Sequence, residues 1–449
     1  MSAQELLLEI HRRVVEAGGS ALLVGGCVRD QFLGVEPSDY DLEVYGLPMD
    51  ALIKALVGLR TDIVGKAFGI VKVGNVDVSV PRRENKIGVG HREFDVQPDS
   101  SMTPKEAAAR RDFTMNSLAQ TLDGEVLDFY NGIQDIQKRV LRATSEQFAE
   151  DPLRVLRGMQ FAARFGMQME ELTLRMCRSM ASEFSSLPTE RLWGEFEKLM
   201  EKGRYISRGL SILQEAGWLP LFPELAVLDG CPQDPEWHPE GDVWRHTKHV
   251  CDTAAEIADR DGLEKDGRLV LLFAALAHDF GKPKTTVKNE RGRWTSPDHH
   301  NEGVAPTQKF LASIGTPVSV VEAVAPLVRE HMLHVFCEPT ERVVRRLAVR
   351  LGSVAVEDWS RLVEADHSGR PPLPPGNPVK PFTELAQKMG IGTKKPAPLL
   401  MGRHLIENFG LDPSPRFGRI LKEAFEIQLD QGWTEINQAL QWAASRLDD

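Results

Sequence analysis

Cysteine is scarce. Cys27, Cys177, Cys231, Cys251 and Cys337 are odd in number, scattered and never in a CxxC pair, so the chain carries the signature of neither a disulfide framework nor a zinc knuckle. Long apolar runs are missing as well. No window approaches the ~20 uncharged apolar residues of a membrane helix, and the opening MSAQELLLEIHRRVVEAG has no basic head followed by an apolar stretch. There is no internal repeat and no low-complexity tract. Positive charge is in deficit: a formal net charge of −11 argues against a protein that coats nucleic acid non-specifically, because backbone affinity comes from clustered Lys and Arg. The expectation is a protein of the reducing cytoplasm with no membrane and no DNA among its partners, which holds any RNA by local patches. Lys138, Arg139, Arg142, Arg154, Arg157 and Arg164 form one such patch. Arg342, Arg345, Arg346 and Arg350 form another, which reads equally well as the solvated face of a helix.

What is present is an ordinary globular composition, 42% hydrophobic and 27% charged, over a length of 449 residues that allows several domains. The spacing of Leu6, Leu7, Ile10 and Val14 predicts an amphipathic first helix. Residues 21–80 then alternate short β-rich runs (ALLVGG, DLEVYG, IVKVGNVDVSV) with helical stretches, the pattern of a small mixed α/β sheet. After about residue 143 strand signals nearly vanish, and EDPLRVLRGMQFAARFG, ERLWGEFEKLM and LVLLFAALAHDFGK show apolar residues at helical spacing. The run GRPPLPPGNPVKP (369–381) reads as a semi-rigid linker to a last helical segment. The fold class is therefore multidomain α+β.

The stretch PSDYDLEVY sets Asp39 and Asp41 on one side of a predicted strand, with Leu42 and Val44 facing inward. Two carboxylates so close repel, and a bound cation keeps both ionised. Hard oxygen donors at this spacing suit Mg²⁺, whose shell is completed by water and substrate phosphates. Asp77, alternating with Val76 and Val78, is a candidate third acid of a two-metal site. Upstream, LLVGGCVRD places a strand, the Gly25-Gly26 turn and a helix start carrying Arg29, an arrangement that offers free N–H groups to phosphate. Together these features imply phosphoryl or nucleotidyl transfer.

LVGGCVRD, SDYD, RRDFTMNSLA (110–119), DFYNGIQDI (128–136) and EDPLRVLRGMQFAARFG (150–166), in that order, resemble the motifs of the class II tRNA nucleotidyltransferases, the CCA-adding enzymes, and related poly(A) polymerases. The resemblance implies a nucleotidyltransferase head (1–143), a helical neck that recognises the base (144–205), an all-α HD body (206–370) and a linker with a helical tail (371–449). It further implies a bacterial origin, tRNA, CTP and ATP as partners, and two-metal nucleotidyl transfer with release of pyrophosphate. Monomer and homodimer both remain open. By the same resemblance Gly26, Arg29 and Arg111 hold the nucleotide, Asp112 and Asn116 contact ribose, Asp39 and Asp41 hold the metals, and Arg157 is a further nucleotide contact. Where many members carry another Arg one turn after Arg157, this chain has Gln160.

Asp151 and Arg154, three apart on one predicted helix face, have a chemistry suited to choosing bases. A carboxylate accepts from an exocyclic amine and a guanidinium donates to the adjacent ring nitrogen, which fits cytosine and adenine; uracil and guanine present the reversed polarity and leave charged groups unpaired. In the family that this chain resembles, a flexible loop between the metal and ribose motifs takes part in the switch from C to A and is shortened in members that add only CC; residues 83–105, a polar Gly-containing segment of full length, then imply complete CCA addition. The alternatives are A-only addition, CC-only addition and poly(A) tailing.

A second constellation lies in WRHTKHV, LAHDFGK, SPDHHNEG, REHMLH and EADHSGR: His246, His278, Asp279, His299, His300, His331 and Asp366. The set resembles the HD superfamily of metal phosphohydrolases. Imidazoles suit Ni²⁺, Mn²⁺ or Fe and carboxylates bridge them. A live phosphohydrolase and a retained structural body are both compatible with it, and an HD phosphohydrolase with an RNA-binding head is the alternative of another class.

Overall fold

The computed structural model describes every residue except 1, 38, 60, 65–69, 87–93 and 448–449. It divides into two compact units, Met1–Leu221 and Phe222–Asp449.

The first unit opens with the amphipathic helix Ala3–Glu16, started by a Ser2–Glu5 capping box and buried through Leu7, Ile10 and Val14. Its sheet has seven strands, in the order Thr61–Val64, Ile70–Val73, Val76–Ser79, Tyr40–Tyr45, Ser20–Val24, Ala119–Gln120, Val126–Leu127. The pairing of Tyr40–Tyr45 with Val76–Ser79 is parallel and the others are antiparallel. Leu42, Val44, Val76 and Val78 are fully buried, each worth about 1.5–3 kcal/mol relative to exposure, and this fixes the register. The opposite face of the same strands is thereby committed to Asp41 and Asp77, which stand opposite each other.

The polar segment that begins near residue 83 is not a plain loop: Arg82–Lys86 and Phe94–Pro98 pair as antiparallel strands, while residues 87–93 lie outside the described residues. The alternation of apolar Phe94 and Val96 with Asp95 and Gln97 is the period-2 signal for such a strand. Helices Leu153–Phe165, Thr189–Lys202 and Ile206–Glu215 pack together beyond the sheet.

In the second unit, helices Val243–Arg260, Lys265–Ala277, Val318–Glu330 and Val356–Ser368 form the core. The Pro-rich run is laid back along the last of these: Gly376 N–H donates to Ser368 Oγ at 3.1 Å, and Asn377 Nδ2 donates to Ser360 Oγ at 3.0 Å. The tail builds its own apolar cluster around Leu400, Leu405, Phe417, Ile420 and Ala443. The arginines of the second basic patch are drawn into ion pairs: Arg342 and Arg346 with Asp430 of the tail at 2.9 and 2.7 Å, and Arg350 with Glu330 of the core helix Val318–Glu330 at 2.9 Å. Among the described residues no helix is long and apolar enough to cross a membrane.

Candidate nucleotide and metal sites

Strand Ser20–Val24 ends in Gly25, whose φ of 73° is left-handed and whose missing Cβ would sit 2.8 Å from Arg111 Nη1. Helix Gly26–Leu33 starts there with no side-chain cap, so its first N–H groups point outward for an anion. The turn opens into a crevice of about 650 Å³ lined by Gly25, Gly26, Arg29, Arg111, Asp112 and Asn116 from the head and by Asp151, Arg154 and Arg157 from the segment that follows. Nine of its lining side chains are cationic against four carboxylates, so a chain of net charge −11 still offers a polyanion a positive cleft.

Of the three candidate metal acids, Asp41 lines this crevice. It keeps solvent access, yet desolvation of its carboxylate, with repulsion from Asp77, Asp39 and Glu43, holds it above the ordinary carboxylate range, opposed by Arg111. Relief of that crowding is what a divalent cation provides, so the donor set fits one. Asp39 is exposed just before the strand, and Asp77 lies 3.7 Å from Lys72 Nζ.

Asp112, Asn116, Arg29 and Arg157 form one buried network. Arg157 Nε donates to Asp112 Oδ2 at 2.7 Å, Asn116 Nδ2 donates to Asp112 Oδ1 at 2.9 Å, and Arg29 Nη1 donates to Asn116 Oδ1 at 2.7 Å. Burial would raise Asp112, but Arg157 and these hydrogen bonds more than offset it and hold the carboxyl below its usual value. Phe165 carries Arg29 and Arg164 over its ring at 4.9 and 4.8 Å.

The base-reading pair sits differently from the sequence expectation. Helix Leu153–Phe165 begins after Pro152, and Asp151 precedes it in extended conformation, because a residue before proline is excluded from the α region. Asp151 and Arg154 therefore flank a helix start and do not share a helix face. Asp151 Oδ1 accepts from the Leu153 N–H at 3.0 Å and Oδ2 from Arg191 Nη2 at 3.0 Å. Arg154 is clamped by donating to the carbonyls of Gln147 and Arg110, both at 2.7 Å. Sequence reasoning missed Arg191 and Lys198; their i, i+7 spacing on Thr189–Lys202 was the signal that both would reach the crevice from one helix face. Gln160 lines the crevice as well.

The second unit gathers His246, His278, Asp279, His299, His331 and Asp366 from five segments. His246, His278 and Asp366 form one group and Asp279, His299 and His331 another, with ligand atoms within 4.8 Å in each. His246 Nε2 is 3.3 Å from His278 Nε2 and 3.1 Å from Asp366 Oδ1. His299 Nε2 is 3.2 Å from His331 Nε2. Asp279 faces both groups, Oδ2 lying 3.2 Å from His278 Nε2 and Oδ1 3.4 Å from His299 Nε2. Nδ1 of His278, His299 and His331 each donates to a main-chain carbonyl, of Ala275, Ser296 and Val328, at 2.7, 2.8 and 2.6 Å. That contact protonates Nδ1 and leaves the Nε2 lone pairs directed inward. Burial lowers His299 to about 4 and His331 to about 3, so both are neutral ligands at neutral pH. Gly281 makes the convergence possible, since a Cβ there would meet the His299 carbonyl at 2.0 Å. His300, by contrast, turns toward Asp298 and Phe336. Lys282 Nζ contacts Asp279 Oδ2 at 2.7 Å.

Three family models match: the poly A polymerase head domain over residues 21–142, the probable RNA and SrmB-binding site of polymerase A over 166–228, and the HD domain over 243–369. A multifunctional CCA protein of Xanthomonas campestris is 36% identical over 363 residues, covering 78% of this chain and 85% of the relative. One of Pasteurella multocida is 36% identical over 325 residues, covering 70% and 74%. Among solved structures, the Bacillus stearothermophilus CCA-adding enzyme in complex with CTP superposes with a TM-score of 0.67 at 20% identity over the whole of both chains. The Thermotoga maritima enzyme complexed with tRNA gives 0.60 at 17% identity, over 100% of this chain and 96% of that one. These two show a shared fold. With the identity to the curated relatives, they lead to one assignment: the chain belongs to the family of bacterial CCA-adding tRNA nucleotidyltransferases that carry an HD domain.

Proposed function

We infer that this chain adds and repairs the 3′-terminal CCA of tRNA from CTP and ATP, without a nucleic-acid template. The observation that carries the reading is one crevice lined by the glycine turn, Asp41, the Asp112–Asn116 pair and the Asp151–Arg154 pair. The helix start at Gly26 and the arginines receive the triphosphate. Asp112 and Asn116, locked in their network, hold the ribose. Asp151 and Arg154 read the base: both line the crevice, and a carboxylate acceptor beside a guanidinium donor has the polarity that cytosine and adenine share. The terminal hydroxyl of the tRNA attacks the α-phosphate, a phosphodiester forms and pyrophosphate leaves. Asp39 and Asp41, with Asp77 alongside, would hold divalent cations, Mg²⁺ by donor type, which lower the cost of charge at attacking and leaving oxygens. Because rate comes from placement and charge, no nucleophilic side chain takes part.

The histidine centre supports a second reading, a metal-dependent phosphohydrolase using Ni²⁺, Mn²⁺ or Fe. Two groups of candidate ligands with Asp279 facing both favour it over a structural body, since structural packing does not require inward lone pairs.

The test is a gel assay with a tRNA transcript lacking CCA, Mg²⁺, and CTP or ATP singly and together. Growth by two residues with CTP and by a third once ATP is added is expected. Addition of A alone to a CC-ended tRNA would make the chain an A-adding specialist, and no addition at all would overturn the reading.

A further inference from the structure

Three of the four inward-facing imidazoles are backed by main-chain carbonyls; the fourth is not. His246 Nδ1 lies 2.7 Å from Glu240 Oε1. The same oxygen lies 2.9 Å from His238 Nδ1, and the rings of His238 and His246 meet edge to face at 4.7 Å between centroids. The Glu240 side chain is 0% exposed, and neither its Oε2 nor His246 Nδ1 has an aligned hydrogen-bond partner among the described atoms, so the 2.7 Å approach is a close charge contact. A buried carboxylate is costly to keep unless something depends on its charge.

The surrounding loop is built to hold it. Asp242 caps helix Val243–Arg260 by accepting from Arg245 N–H at 2.9 Å and also accepts from Gly230 N–H at 2.9 Å. Asp234 is gripped by Arg293 through two contacts of 2.7 and 2.8 Å. Glu240 is thus set on a loop pinned at both ends, directly upstream of the turn that carries His246.

We propose that Glu240 is a positioning residue for the histidine centre, held in place by His238, and that it makes the position bound by His246, His278 and Asp366 the tighter of two cation positions. A carboxylate 2.7 Å from Nδ1 favours the tautomer protonated on that nitrogen and, unlike a carbonyl, adds negative charge that raises the basicity of the opposite nitrogen. The two positions differ in this respect: His299 and His331 have only carbonyls behind them. The inference rests on the second reading above, that this centre binds transition metal.

The test is a Co²⁺ titration of the metal-free full-length chain, followed by visible absorption, which reports imidazole ligation, and by metal content. The wild type should fill two histidine positions. Glu240→Ala should weaken the tighter step by about 10- to 100-fold and leave the other within about twofold. Glu240→Gln, which keeps an acceptor of the same shape, should fall between and controls for folding, as does the thermal midpoint of each metal-free protein. His238→Ala should weaken the same step by a smaller factor. Unchanged affinities in Glu240→Ala, or equal weakening of both steps, would overturn the proposal. So would a third equivalent of metal lost in that variant, which would make His238, Glu240 and His246 a cation position of their own. A wild type that takes up no metal at the histidines would overturn the metal-centre reading, and the proposal with it.

Discussion

The head crevice and the histidine centre both suit work on phosphate, and they gather their ligands by opposite means. In the head, Asp41 sits at a solvent-open edge among arginines, and the groups around it are themselves cations or hydrogen-bonded carboxylates. In the second unit the candidate ligands are imidazoles and carboxylates set in a helical core, with His246, His278 and Asp279 each no more than 1% exposed and Asp366 partly open to solvent. An open carboxylate site leaves room for water and substrate oxygens and suits a hard, weakly held cation; a buried imidazole site selects a softer metal and retains it. The contrast teaches that ligand type follows from burial: ionised carboxylates crowd safely where water and arginine can screen them, whereas a dry core tolerates them only beside cations and histidines.

The largest expected effect divides the two regions outright. Asp41→Ala should lower nucleotide addition by at least about a thousandfold while the histidine centre keeps its metal, measured by single-nucleotide extension and by metal content on the same preparation. Loss of both would break the division. The reciprocal variant, Asp279→Asn, removes the carboxylate that faces both ligand groups. It should strip metal from the second unit and abolish any phosphoester hydrolysis there, with CCA addition within about twofold.

Next in size is the buried network. Arg157→Met leaves Asp112 buried without its ion pair, and should cost about 3 kcal/mol in unfolding free energy measured by denaturant titration. The sign of its pH dependence is defined. Because the folded Asp112 carboxyl lies below its ordinary value, its stabilisation is present above the unfolded pKa and is lost as pH falls through the folded one; the variant should show less acid sensitivity in that range.

A finer cut concerns base choice. Arg191→Ala removes the 3.0 Å contact to Asp151 Oδ2 and should reduce discrimination of CTP and ATP against UTP and GTP by about tenfold, or ~1.4 kcal/mol, in competitive incorporation. The smallest effect is expected at Arg346, whose pair with Asp430 is half-exposed. Arg346→Ala should shift stability by less than about 1 kcal/mol and leave tRNA affinity unchanged, because the guanidinium is already engaged within the tail.

Much of this protein was written in local pattern. The glycine turn, the alternation around Asp41 and Asp77 and the histidines at the ends of apolar helical runs depend on neighbours a few residues apart, and periodicity reports such order directly. These determined the sheet and the helical remainder, and they offered the candidate residues of both sites. Tertiary structure decided which groups meet: that Arg191 holds Asp151; that the second arginine patch is spent on Asp430 and Glu330; that His299 turns inward and His300 toward Asp298 and Phe336; and that Glu240 stands behind His246. A sequence shows which side chains a segment offers and how often they recur. Only packing chooses which buried charge meets which partner, because that choice is fixed by desolvation across contacts as far as 120 residues apart along the chain.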